Sequence, residues 1–104
     1  MTREVRWTPA ALADLSGIVD HIARENPAAA RKVATAIRTA ADKLGVRPIG
    51  RRGRVPDTFE RPLTPLPYIL AYTIRDDPGG ESGDLIILHV IHMARNWPPG
   101  RWPR

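Results

Sequence analysis

The chain reads as an α+β domain of order β-α-α-β-β-β, an N-terminal helical hairpin packed on a small antiparallel sheet. Three observations predict it. Two capped amphipathic stretches follow one another with almost no linker. Two β-branched apolar runs fill the second half of the chain, with turn residues between them. A short alternating run precedes the first helix.

Residues 4–7 form the first strand, with Val5 and Trp7 on one face. Thr8 suits an N-cap and Pro9 the first helical position, where its missing N–H costs nothing. A helix is predicted over 9–25, with Leu12, Leu15, Ile18, Val19 and Ile22 in one apolar stripe. Asn26 and Pro27 repeat the start signal. The second helix, 27–44, carries Ala30, Val33, Ile37, Ala40, Ala41 and Leu44 along one side, and Gly45 is its expected terminator. So short a connection makes the two helices antiparallel.

Residues 46–57 form a loop with four arginines and two glycines. A strand over 58–63 is weakened by Pro62, which suits an edge or a bulge. The sheet's centre is expected in Tyr68–Arg75 and 84–93, both apolar on both parities, joined by a turn at 76–80 containing Asp-Pro-Gly-Gly. The proline-rich segment 96–104 cannot be a regular helix. No repeat or second domain is visible, so 1–104 is expected to be one domain with 96–104 as its tail.

Composition bounds the function. At 104 residues and 42 % hydrophobic content, one modest core is possible. The absence of cysteine excludes disulfides, thiolate metal sites and a cysteine nucleophile. No run approaches the length of a membrane helix and no signal-peptide pattern opens the chain, so the cytoplasm is the expected location. Net charge is +5, and all basic residues except Lys32 and Lys43 are arginine. Arginine's planar fork matches phosphate and carboxylate, so either nucleic acid or an acidic protein segment fits, as does a compositional bias with no partner behind it.

None of the familiar nucleophile, phosphate-loop or zinc-protease motifs is present. The histidines, His21, His89 and His92, lack metal-ligand spacing, and strand parity sends His89 and His92 to opposite faces; neither metal nor cofactor is expected. Arg51, Arg52 and Arg54, flanked by glycines, fit either contact with an acidic polymer or a solvated loop. His92 and Arg95 close the last strand, where a proton donor and a phosphoryl-binding charge would suit RNA cleavage by 2′-hydroxyl attack. The same residues fit local roles, His92 in a hydrogen bond and Arg95 in a pair with Glu60 or the tail. A ribonuclease also needs a general base, and the sheet offers only Glu60, Tyr68, Tyr72 and the histidines. Trp97 and Trp102 could anchor a partner, although closing the end of the core is the better fit for Trp97.

Several segments in this order carry a resemblance over nearly the whole chain: Trp7-Thr8-Pro9-Ala10-Ala11-Leu12-Ala13-Asp14-Leu15, Asn26-Pro27-Ala28-Ala29-Ala30, Gly50-Arg51-Arg52-Gly53-Arg54-Val55, Glu60, Pro67-Tyr68-Ile69-Leu70-Ala71-Tyr72, and the ending from Ile87 to Pro98 through His89, His92 and Arg95. Together they resemble the RelE/ParE superfamily of toxins from type II toxin–antitoxin modules, the plasmid-stabilisation type. The resemblance implies a basic toxin held in a hetero-oligomer by an antitoxin whose C-terminal segment wraps it. It also implies one of two targets: DNA gyrase, inhibited without catalysis by ParE-like members, or mRNA on the ribosome, cut by RelE-like members. The long helical hairpin and the lack of lysine in or beside the sheet lean towards the ParE-like branch. His92 and Arg95, near where some ribonuclease members place His, Arg or Tyr, lean the other way. Phe59 stands where the family usually has a basic residue, and the tail replaces the C-terminal helix of many relatives. Expected contacts for target or antitoxin are Arg51, Arg52, Arg54, Arg61, Arg95 and Trp97; a ribonuclease would use Arg51, Arg54, His92 and Arg95. The antitoxin segment is expected to be acidic and amphipathic, lying over an apolar groove of the hairpin and sheet.

Overall fold

The computed structural model describes residues 3–75 and 83–94. The turn predicted at 76–80 and the tail 96–104 lie outside the described residues, as do Arg95 and Trp97. The elements run β1 (Val5–Trp7), α1 (Pro9–Ala23), α2 (Pro27–Val46), β2 (Arg51–Arg52), β3 (Phe59–Pro62), β4 (Tyr68–Arg75) and β5 (Asp84–His92). Two helices pack on one five-stranded sheet of order β1-β5-β4-β3-β2. No helix among the described residues is long and apolar enough to cross a membrane.

The predicted fold class holds, with two additions. β1 pairs with β5 in parallel, Val5 opposite Leu85 and Trp7 opposite Ile87, so the sheet is mixed. Within the expected 46–57 loop, Arg51 and Arg52 pair with Glu60 and Phe59 as a short edge strand. No two-residue strand leaves a periodic signal in sequence. β2 stops short of Pro62, which therefore sits where β3 has no outer neighbour and its missing N–H is harmless.

Both helix starts follow the sequence. Thr8 Oγ1 accepts from Ala11 N at 3.1 Å, and Asn26 Oδ1 accepts from Ala29 N at 3.0 Å. Thr8 does more than cap. Its N–H donates to the Ile87 carbonyl at 3.1 Å, and its hydroxyl lies 3.1 Å from the Ile87 and Leu88 carbonyls. This tether fixes the rotation of α1's first turn and corrects the predicted stripe. The small Ala11 is fully buried against the sheet, whereas Leu12 is 48 % exposed. Leu15, Ile18 and Val19 pack as expected.

Gly45 is not the terminator of α2, which runs on to Val46. Its hydrogen atom in place of a side chain lets the N-terminal segment close on the helix. A Cβ there would lie 2.7 Å from both the Arg3 carbonyl oxygen and Val5 Cγ2, and Arg3 N donates to the Gly45 carbonyl at 2.7 Å. The core lies between helices and sheet: Ile37, Ala41 and Leu44 of α2 meet Leu70 and Tyr72 of β4 and Leu85, Ile87 and Val90 of β5. Burying each of the leucine, isoleucine and valine side chains here stabilises the fold by roughly 1.5–3 kcal/mol.

Candidate functional site

Strand alternation divides the predicted site residues between the two faces of the sheet. On the face away from the helices, Arg51 pairs in register with Glu60, and Glu60 with Ala71. Glu60 is only 2 % exposed. Its carboxylate takes Arg51 Nη2 at 3.6 Å on one oxygen, and Arg54 Nε at 3.6 Å plus the Arg54 backbone N–H at 3.0 Å on the other. The charge of Arg51 and Arg54 thus compensates a buried anion. Space beside the flanking glycines is likewise taken by the protein itself. A Cβ on Gly50 would meet the Tyr72 hydroxyl at 2.9 Å, and one on Gly53 would clash with the Thr58 hydroxyl. The glycines therefore serve internal packing.

Arg52 pairs with Phe59, whose ring stacks on Tyr72 at a centroid distance of 5.5 Å on the helix-facing side. Arg61 points to that same side. With Lys43 and Arg47 it lines a groove of about 770 Å³ between the end of α2 and the turn at 62–66. Phe59, where the resemblance implied a basic residue, is packed on Tyr72 instead.

His92 also faces the helices. It pairs across the ladder with Tyr68, its ring edge-on at 5.3 Å. Its Nδ1 accepts from the Ala94 N–H at 3.0 Å, which places the ring proton of the neutral imidazole on Nε2. His92 and the Glu60 arginine cluster are thus on opposite sides of the sheet. His89, expected on the other face from His92, is drawn into the same cleft. Past Ile87, β1 no longer covers β5, and Asp14 of α1 takes its place. One Asp14 oxygen accepts from the Val90 N–H at 3.0 Å and lies 3.0 Å from His89 Nδ1. His21, His89 and His92 all line a cleft of about 610 Å³ between α1 and β5. Among the described residues no three carboxylate or imidazole groups come together as a metal site. Asp14's role was not legible in the sequence, because it depends on where β1 ends along β5.

Burial raises the hydroxyls of Tyr68 and Tyr72 above the ordinary phenol range; at Tyr72 the nearby Arg61 charge opposes part of that rise. Both tyrosines are therefore protonated at neutral pH. Tyr72 donates to the Ile49 carbonyl at 3.1 Å.

Known proteins agree with this arrangement. Residues 5–97 match the family described as the ParE toxin of type II toxin–antitoxin system, parDE. The chain is 39 % identical to the toxin candidate Y4kP of Sinorhizobium fredii, covering 92 % of this chain and 94 % of the relative. It is 38 % identical to the toxin RelE2 of Caulobacter vibrioides, covering 88 % and 97 %. Among solved structures, a chain of the chromosomal ParDE toxin–antitoxin system from P. aeruginosa superposes with a TM-score of 0.76 at 23 % identity, over 88 % of this chain and 96 % of that one. A chain of the RelBE2 toxin–antitoxin complex from Mycobacterium tuberculosis gives 0.59 at 26 % identity, over 88 % and 99 %.

Proposed function

The chain belongs to the ParE/RelE family of type II toxin–antitoxin toxins, and from that premise we propose that it arrests growth by binding DNA gyrase, without catalysis, and is neutralised by a cognate antitoxin. The observation that carries this reading is the engagement of Glu60, Tyr68, Tyr72 and His92, four of the five acid–base groups that the sheet offers among the described residues, the fifth, His89, being held against Asp14. Glu60 is paired with Arg51 and Arg54. Tyr68 and Tyr72 stay protonated. His92 has its basic nitrogen occupied by the Ala94 N–H and lies across the sheet from the arginines. A general base must reach the proton it removes with a lone pair to receive it, and none of these groups is so placed. A binding inhibitor needs no such group. Gyrase and antitoxin both place the toxin in the cytoplasm, in a hetero-oligomer when neutralised.

The test is a supercoiling assay with purified gyrase and purified toxin. Inhibition that disappears on adding the product of the adjacent reading frame supports the reading. Gyrase left fully active at high toxin excess overturns it. The competing reading is ribosome-dependent mRNA cleavage through Arg51, Arg54, His92 and Arg95. It requires cut transcripts in expressing cells and loss of cutting in His92→Ala; intact transcripts during growth arrest remove it.

A further inference from the structure

The cleft between α1 and β5 holds polar groups that the fold leaves unused. Tyr68 lines it and is only 8 % exposed, yet its hydroxyl makes no hydrogen bond among the described residues. Tyr72, two residues on along the same face, has its hydroxyl on the Ile49 carbonyl. A phenol buried this deeply ordinarily finds a partner, so the idle hydroxyl marks a place where one enters. His92 stands opposite Tyr68 across the ladder and accepts at Nδ1 from the Ala94 N–H. Its Nε2–H is therefore a second donor without a partner among the described residues. Asp14 adds an acceptor. One of its oxygens serves Val90 and His89, and the other makes no hydrogen bond among the described residues.

The helix wall of the cleft is bare. A Cβ on Gly17, inside α1, would meet nothing within 4 Å among the described residues. Glycine in a helix interior is less stable than alanine, and neither crowding nor a left-handed backbone calls for one here. Its missing side chain keeps the cleft open. Two donors and an acceptor match the carbonyl and N–H of peptide groups. A phosphate or a carboxylate offers acceptors only, and it would enter beside Asp14 with no lysine or arginine on the lining. The cleft therefore suits neither a nucleic-acid backbone nor the acidic segment expected of an antitoxin. Ile18, Val90 and Ile91 supply apolar contact for uncharged side chains. We propose that this cleft is the toxin's contact with its protein target, receiving an uncharged loop of gyrase whose peptide groups bond to Tyr68, His92 and Asp14. The inference rests on the gyrase reading above and adds the surface and the chemistry of the contact.

The experiment compares single variants of the whole chain in gyrase supercoiling, antitoxin binding and thermal melting. Gly17→Leu fills the cleft and should raise the toxin concentration for half-inhibition by at least about tenfold. Tyr68→Phe removes one donor and should raise it about fivefold. Both should bind the product of the adjacent reading frame as wild type does, and Gly17→Leu should melt no lower than wild type. Ser16→Leu, which places the same side chain on α1 outside the cleft, should inhibit like wild type. Hydrogen exchange on wild-type toxin with gyrase supplies a readout independent of the variants, with added protection expected in 13–21 and 88–94. Wild-type inhibition by both Gly17→Leu and Tyr68→Phe overturns the proposal. So does a lower melting temperature in Gly17→Leu, which would show the chain itself filling the cleft. The same protection from DNA without gyrase assigns the cleft to nucleic acid, and antitoxin binding lost in step with inhibition assigns it to the antitoxin; either result overturns the proposal. In all these cases a wild type that inhibits gyrase keeps the gyrase reading, whereas a wild type that leaves gyrase active overturns both.

Discussion

A carboxylate buried in the middle of a sheet needs opposite charge and a donor close by, and Glu60 has two guanidiniums and one backbone N–H. The exposed ends of Arg51 and Arg54 lower what each pair contributes alone, but removing both leaves an uncompensated anion with one remaining hydrogen bond. Arg51→Ala/Arg54→Ala should lose about 3 kcal/mol of stability, read as a lower urea midpoint with unchanged slope. Loss of toxicity in that variant therefore speaks to folding before it speaks to target contact. The tyrosines give a second test at this scale. Their folded-state pKa values lie above the ordinary 10.0. As pH rises, the unfolded chain ionises first, so stability is intact below about pH 10 and is lost as pH climbs through the folded values. Tyr68→Phe/Tyr72→Phe should start about 1 kcal/mol lower, from the lost hydrogen bond to Ile49, and show a flatter decline above about pH 10 in urea titrations.

Elements were legible where a local signal sets them. Thr8-Pro9 and Asn26-Pro27 mark both helix starts, and the apolar run Tyr68–Arg75 is β4 without adjustment. What the sequence hid depends on contacts made from far away. The 84–93 run loses its last residue, since β5 ends at His92. β2 exists only because Glu60 and Phe59 offer it an edge. Gly45 looks like a stop signal, yet it is the site where β1 closes on α2. The two readings of Gly45 predict opposite signs. Alanine in a helix interior is favoured over glycine by about 1 kcal/mol, so a glycine without a packing role would gain stability on substitution. Here the added Cβ would press on the Arg3 carbonyl and on Val5, and overpacking of that kind costs roughly 1–3 kcal/mol. Gly45→Ala should therefore lower the melting temperature. It should also speed amide exchange at Leu85, whose N–H is held by the Glu4 carbonyl at 2.8 Å.

At the scale of the molecule, the fold and family were legible because several weak segments keep one order across the chain. The distribution of charge was not, because pairing depends on register. Arg51 and Arg54 read as available cations in the sequence and are anchored to Glu60 in the structure. Lys43 read as an ordinary helix residue and Arg47 as one of the loop arginines, and with Arg61 they line a groove that holds no acid among the described residues. With a net charge of +5, part of it concentrated at one groove, the encounter with an acidic partner should be steered electrostatically. Steering acts over the Debye length, about 10 Å at 0.1 M salt and about 3 Å at 1 M, so it is removed by salt before close contacts are. Stopped-flow association with the antitoxin should accordingly slow by about tenfold or more between 0.05 and 0.5 M NaCl, while dissociation, governed by close contacts, changes little. In Lys43→Glu/Arg61→Glu the association rate should already be low at 0.05 M and vary much less with salt. An association rate that is equally salt-dependent in wild type and variant would place the steering charge elsewhere on the molecule.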